Sequence, residues 1–294
     1  MIQTTPIIVL CFLLVSTTIF AQGGRVNKLK SKDTSEISIK RPFVDLIYGE
    51  SQISRNGMTG GISDVTIYGI SIGLKKEKEH KESKDIIVQD KTGLHFSLGR
   101  SPETGKSDST YWSIPVGPSN TMEFWSLGSI NGSAYGYMFG DNALILNVED
   151  NATWNSFSPR SFDIMQNPTD WQYMRDMDGT MRFGSSMTSS IECRLGNTLT
   201  LNGGYTWNQV LPRHMFWYWL GSEVIEGLAG AAIDNVIANF GNISPKSLPV
   251  MHFILKSALL YGVKELRRTH MNWPFETATP MNITYWNIGV GLTL

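Results

Sequence analysis

Cysteine is almost absent from the 294 residues: Cys11 and Cys193 are the only two. That scarcity excludes a disulfide framework and a cysteine-based zinc site. Charge is scarce too, at 17% of residues against roughly 25% in soluble domains. The net charge is −1 with the basic residues dispersed, so the chain lacks the electrostatic footprint of a nucleic-acid binder. The HExxH, GxSxG, Walker and paired-glycine signatures are missing. The five histidines, His80, His95, His214, His252 and His270, form no pair at metal-ligand spacing. No cofactor and no metal are expected. Long apolar runs are missing as well, apart from Pro6–Phe20.

That run, PIIVLCFLLVSTTIF, is uncharged and about 15 residues long, too short to cross a bilayer comfortably as a helix. It is followed by Ala21-Gln22, two glycines and a polar basic stretch from Arg25 to Lys40. The pattern predicts a cleaved signal peptide over 1–21 and one exported domain over 22–294. Cys11 lacks the small-residue context of a lipobox, and Cys193 is then the only thiol left after export.

Glycine (28), tryptophan (9) and tyrosine (10) are plentiful, and several segments alternate with period two. In one, Tyr68, Ile70, Ile72 and Leu74 alternate with Gly69, Ser71, Gly73 and Lys75. At the C-terminus Trp286, Ile288, Val290, Leu292 and Leu294 alternate with Asn287, Gly289, Gly291 and Thr293. Leu199, Leu201, Tyr205 and Trp207 oppose Thr198, Thr200, Asn202, Gly204, Thr206 and Asn208. Met181, Phe183, Met187, Ile191, Cys193 and Leu195 oppose Arg182, Gly184, Ser186, Thr188, Ser190, Glu192 and Arg194.

A soluble sandwich crowds its second face with Lys, Glu and Thr. Here that face is Gly, Ser, Thr and Asn, which suits the inside of a narrow barrel, with Lys75, Arg182, Glu192 and Arg194 as polar lumen residues. The apolar face then meets lipid, and a sheet in lipid must close on itself to pair every backbone polar group. The reading is all-β: a closed antiparallel transmembrane barrel of about 8 to 10 strands with long loops. Further strands are expected at Phe43–Tyr48, Gly93–Arg100, Thr121–Gly128, Ala134–Val148 with a break near Asp141-Asn142, and Val250–Lys264. Lys75–Asp85 reads as a solvated turn. Ser101–Asn120 and Asn151–Asp178 read as irregular connections. Over 216–240 the apolar positions Val224, Ile225, Leu228, Ala231, Ala232, Val236 and Ile237 recur at helical spacing, which predicts one helical insertion, on the barrel rim, against a loop or as a plug in the lumen. Glu223, Glu226 and Asp234 argue against a lipid-facing span there.

The leader ending in Ala21-Gln22, the glycine-punctuated strands and the closing YWNIGVGLTL resemble outer-membrane β-barrel proteins of the Bacteroidota. The resemblance implies residence in a Gram-negative outer membrane, with its lipid and the barrel-assembly machinery as partners. Such chains often end in an aromatic residue, whereas this one ends in Leu294. The family includes pores, adhesins, structural barrels and a few enzymes, so it brings no specific activity.

One constellation bears on chemistry. His95 and Ser97 share a face with Gly93 and Gly99, similar to the serine and histidine of outer-membrane lipid A deacylases. Under that alternative they are base and nucleophile of an acyl hydrolase, with Glu123 or Glu192 orienting the imidazole. The leading expectation is a non-enzymatic barrel acting as a small pore, a surface-binding protein or a structural element. A soluble secreted β-sandwich that binds carbohydrate is the third reading. Asn131, Asn151, Asn242 and Asn282 open sequons that matter only in a eukaryotic secretory pathway.

Overall fold

Alternating bulky and small side chains let strands stack side by side, and here the stack has no edge. The computed structural model describes residues 38–60, 62, 64–81, 83–101, 121–161, 168–213 and 215–294. The leader 1–21, His214 and nearly all of the Ser101–Asn120 connection lie outside the described residues.

Eight strands follow in chain order: β1 Ile39–Arg55, β2 Val65–His80, β3 Ser83–Arg100, β4 Thr121–Phe139, β5 Asn142–Ser161, β6 Met181–Leu195, β7 Leu199–Val210 and β8 Met281–Thr293. Each pairs with its sequence neighbour, and β1 pairs antiparallel with β8 in the register Phe43↔Thr293, Ile47↔Gly289 and Ser51↔Tyr285. The sheet is a closed eight-stranded antiparallel barrel. Closure removes the two-sheet sandwich and fixes the count at the lower end of the expected range.

Connections divide sharply by end. At one end the strands turn through 81–82, 140–141 and 196–198, and at the other they are joined by 56–64, 101–120, 162–180 and 211–280. Two of the tight turns need a left-handed residue, supplied by Gly140 (φ 65°) and Gly196 (φ 62°).

Several expectations are corrected. Lys75–Asp85 is not a solvated turn: β2 and β3 continue through it, placing Lys75 and Glu77 in the barrel interior. Asn151–Asp178 is not irregular: β5 runs on to Ser161, and a helix, α1, spans Pro168–Met177. The single insertion at 216–240 is a hairpin of two helices, α2 Phe216–Ile243 and α3 Leu248–Leu266, joined by a 3-10 turn at Pro245–Ser247. Val250–Lys264 is therefore helix rather than strand. The hairpin lies neither on the rim nor in the lumen, because α3 packs on the outer faces of β4, β5 and β6.

Glycine sets how closely β2 and β3 approach. Gly73 faces Gly93 across the pair. A Cβ at Gly73 would stand 2.1 Å from the Thr92 carbonyl oxygen and 2.9 Å from the Phe43 ring, and one at Gly93 2.2 Å from the Ile72 carbonyl oxygen. Backbone atoms cannot swing aside as a side-chain tip can. Gly73→Val is expected to cost about 1–3 kcal/mol through overpacking, read as a lower urea midpoint for loss of the folded gel mobility. An unchanged midpoint would mean that the backbones of β2 and β3 can part far enough to admit a side chain.

Candidate functional site

The lumen is filled in layers. At the long-loop end Ile53, Ile67, Met122, Phe124, Phe157, Val210, Met281 and Ile283 form an apolar plug, to which Met174 and Met177 of α1 contribute from above. α1 is held there by Asp170, whose Oδ2 accepts the N–H of Gly60 (2.7 Å) and of Thr59 (3.0 Å). The Arg55 guanidinium lies 3.6 Å from the centroid of the Tyr173 ring. Below the plug comes an amide and hydroxyl layer: Asn208 Nδ2 donates to Asn155 Oδ1 (2.8 Å), Thr153 Oγ1 to Asn208 Oδ1 (3.0 Å) and Asn287 Nδ2 to Thr206 Oγ1 (3.1 Å).

The next layer is ionic. Lys91 Nζ lies 2.9 Å from Asp45, 3.1 Å from Glu149 and 3.7 Å from Glu192. Lys75 Nζ lies 3.1 Å from Glu192, and Arg194 Nη1 2.8 Å from Glu77. All seven side chains are buried. Three cations thus meet four carboxylates, and the Phe43 ring lies 4.8 Å from Lys91 Nζ and 5.3 Å from Lys75 Nζ. Toward the short-turn end, Ile87, Ala134, Ala143 and Ile145 form a smaller apolar layer. The cavity left beside the ion pairs, lined among others by Asp45, Lys91, His95, Glu149 and Glu192, is about 50 Å³. That is room for a few waters and no solute of any size.

Of the residues singled out from sequence, Lys75, Glu192 and Arg194 meet in this ionic layer. Arg182 does not join them: it sits at the long-loop end, donating to the Pro212 carbonyl (2.7 Å) and the Asp176 carbonyl (2.5 Å). His95 and Ser97 both face the lumen, but the hydroxyl that meets the imidazole is that of Ser71, directly opposite on β2, with Oγ 2.9 Å from Nδ1. A nucleophile on this face reaches only what enters the lumen. Glu123 lies at the long-loop end between Arg100 (3.1 Å) and Arg160, far from His95, whereas Glu192 lines the same cavity as His95. Asp45, Lys91 and Glu149 went unnoticed in the sequence. Strand parity was the available signal, since Asp45 alternates with Val44 and Leu46, and Lys91 lies on the face of Gly93 and His95.

The outer wall has two parts. From β8 through β1 and β2 to β3 it is bare and apolar: Ile70 is 40% exposed and Val290 50%, with Leu46, Ile72, Leu94, Leu98, Ile288 and Leu292 around them. Leu201 on β7 (44% exposed) continues this surface beyond β8. Among the described residues no second sheet or helix covers these side chains. Elsewhere the outward face of β4 to β7 mixes polar and aromatic residues with aliphatic ones, and the hairpin covers part of it while Ile191 and Leu195 stay about half exposed. Ser133 Oγ hydrogen-bonds His252 Nε2 (3.1 Å), Ser189 Oγ bonds Ser257 Oγ (2.8 Å), and Lys264 Nζ donates to the Ser185 carbonyl (2.9 Å). Gln209 Nε2 donates to the Lys264 carbonyl at 2.7 Å. Val148, Met187, Trp207 and Leu260 close the apolar seam beneath α3.

These features define a class: a closed eight-stranded barrel with a filled lumen, an apolar outer belt and a helical hairpin clasped to one side. No protein-family model matches the sequence, and no curated protein matches it. Among solved structures the chain is similar to Ail, the attachment invasion locus protein of Yersinia pestis, at 8% identity, covering 86% of this chain and 98% of that one with a TM-score of 0.31. It is also similar to Neisserial surface protein A, at 9% identity, covering 88% and 100% with a TM-score of 0.34.

Proposed function

We propose that this chain is a non-enzymatic barrel of a Gram-negative outer membrane, acting as a surface-binding or structural element and not as a diffusion pore. The observation that carries the second half is Lys91, buried in mid-lumen among Asp45, Glu149 and Glu192 with an apolar plug above it. Ions would have to break those pairs to pass, and a buried ion is costly to strip of its partners. The bare apolar belt supports the first half. In a chain with so few charges, such a continuous exposed surface asks for a non-aqueous neighbour.

In this reading the short turns face the periplasm and the long connections the outside, as in bacterial barrels generally. What the protein binds is then carried by the surfaces of those connections, not by the lumen. Export through a cleaved leader, a Bacteroidota origin and insertion by the barrel-assembly machinery belong to the same proposal, on the strength of the leader and the closing strand.

The test is functional and cheap. Purified protein in planar bilayers is expected to give no steady conductance above the lipid background, while the same preparation shows a heat-modifiable band and follows the outer membrane on fractionation. Regular single-channel steps would overturn the closed-lumen reading, and recovery in the aqueous fraction the membrane reading.

A further inference from the structure

The hairpin is the feature that an ordinary barrel does not explain. α3 runs the length of the wall: the Lys246 carbonyl just before it accepts from Tyr137 (2.8 Å), two residues from the end of β4, and Lys264 meets Gln209, one residue from the end of β7. Its 19 residues correspond to about 28 Å, and the 28 of α2 to about 42 Å. The hydrocarbon core of a bilayer is about 30 Å thick. Both helices therefore lie at the depth of the bare belt on the other side of the barrel.

Their charges are turned toward each other. Lys256 Nζ lies 2.6 Å from Asp234, and Arg267 lies 3.2 Å from Glu223 and 2.9 Å from Glu226. Lys264 is spent on the barrel wall. What remains on the outside is mostly apolar, with Leu228 69% exposed and Val224, Val236 and Ile254 each 54%. The polar exceptions are Asn235, Asn239 and the paired Asp234 on α2, and Glu265 at the end of α3. A helix that is apolar nearly all round belongs in a protein core or in lipid, and α2 packs mainly on α3. The wall beneath fits the same logic, because Ser133, Ser185, Ser189 and Gln209 would be orphaned hydrogen-bonding groups in lipid without their partners on α3.

From this we infer that the α2–α3 hairpin is immersed in the same bilayer as the barrel, with lipid acyl chains packed against Val224, Leu228, Val236 and Ile254. The inference rests on the membrane reading above and extends it from strands to helices. Among the described residues no helix is long and apolar enough to cross a membrane by itself. The hairpin depends instead on the barrel and on its own ion pairs to satisfy its polar groups. It replaces a lipid-facing wall with a helical one, and Asp234, Glu223 and Glu226 are tolerated because each has a cation beside it.

Nitroxide scanning tests this. In a Cys11→Ser, Cys193→Ser background, single cysteines are introduced by Leu228→Cys, Val236→Cys and Ile254→Cys on the hairpin, Ile70→Cys on the bare belt and Asn56→Cys in an aqueous connection. Each is spin-labelled and refolded into phosphatidylcholine vesicles, with folded gel mobility as the entry criterion. Collision rates with oxygen and with a water-soluble nickel chelate are then compared. The hairpin sites are expected to match Ile70→Cys, with an oxygen-to-nickel ratio several-fold above Asn56→Cys. Nickel access at 228 and 236 equal to Asn56→Cys, with Ile70→Cys still in lipid, overturns the hairpin inference and leaves the barrel reading standing. Nickel access at Ile70→Cys as well would sink both. Low access to both reagents at the hairpin sites also overturns it, in favour of a second copy of the chain covering that face. Ile254→Cys decides the matter on α3 should a label on α2 prevent folding.

Discussion

Lys91→Met is expected to lower the stability of the folded barrel by about 3–5 kcal/mol, the usual cost of leaving a buried charge without its partner. Lysine at this position is the common counter-charge of Asp45, Glu149 and Glu192, lying within 2.9, 3.1 and 3.7 Å of them. Methionine keeps most of the length and removes the charge, so packing changes little while three carboxylates are left facing one another. Lys75 still neutralises Glu192 at 3.1 Å, which leaves Asp45 and Glu149 as the uncompensated pair. Adding Glu149→Gln to Lys91→Met should therefore recover part of the loss, a non-additivity that identifies the pair as coupled. Lys76→Met, one residue from Lys75 but on the outer face, should stay within about 0.5 kcal/mol of the parent. The measurement is the urea midpoint for loss of folded gel mobility in vesicles. Equal midpoints for Lys91→Met and the parent would show that the lumen is wet enough to solvate its carboxylates, and the case against a pore would weaken with it.

The same layer shows how far a sequence can be read. β2 and β8 were legible because a bulky apolar residue at every second position, with Gly, Ser or Asn between, reads as a strand with one apolar and one small-residue face. The second half of β5 was not. Asn151, Thr153 and Asn155 face the lumen, and on the outer face Trp154 stands among Asp150, Ala152 and Ser156, so one large apolar residue makes no repeat and the segment looks like a connection. Most of that wall needs no lipid signature because the hairpin stands beside it. The helix α3 was misread for the converse reason. VMHFILKSALLYGVK is apolar at most positions, and a dense apolar run fits either period. Of its buried positions, Leu248, His252, Leu260 and Lys264 are spaced in multiples of four, with Pro249 beside the first of them, which in retrospect is the helical signal. Strand parity could place Asp45, Lys91 and Glu149 on the lumen face. That they meet depends on the stagger between strands, which no local pattern encodes.

Ile70→Arg separates lipid from water as the neighbour of the belt more sharply than any fractionation. Were Ile70 in water, an exposed isoleucine exchanged for arginine would change stability by no more than about 0.5 kcal/mol. At the middle of a bilayer the same exchange costs about 2–4 kcal/mol, falling to about 0–1 near the interfaces. The outward residues of β2 provide the ruler. Thr66 to Lys76 is a run of ten residue steps that, at about 3.3 Å each and tilted by about 40°, spans about 25 Å, close to the height of the apolar band of bacterial barrels. Ile70 and Ile72 flank its centre, and Tyr68 and Leu74 lie toward its edges. Arginine at positions 68, 70, 72 and 74 in turn should give a cost that peaks at 70 and 72, read as the shift in folding midpoint into vesicles. A flat profile at any height would mean that depth has no meaning for this wall. A peak would make Ile70 and Ile72 the residues deepest in the hydrocarbon, and Lys76, four steps beyond Ile72, the one that reaches the headgroups.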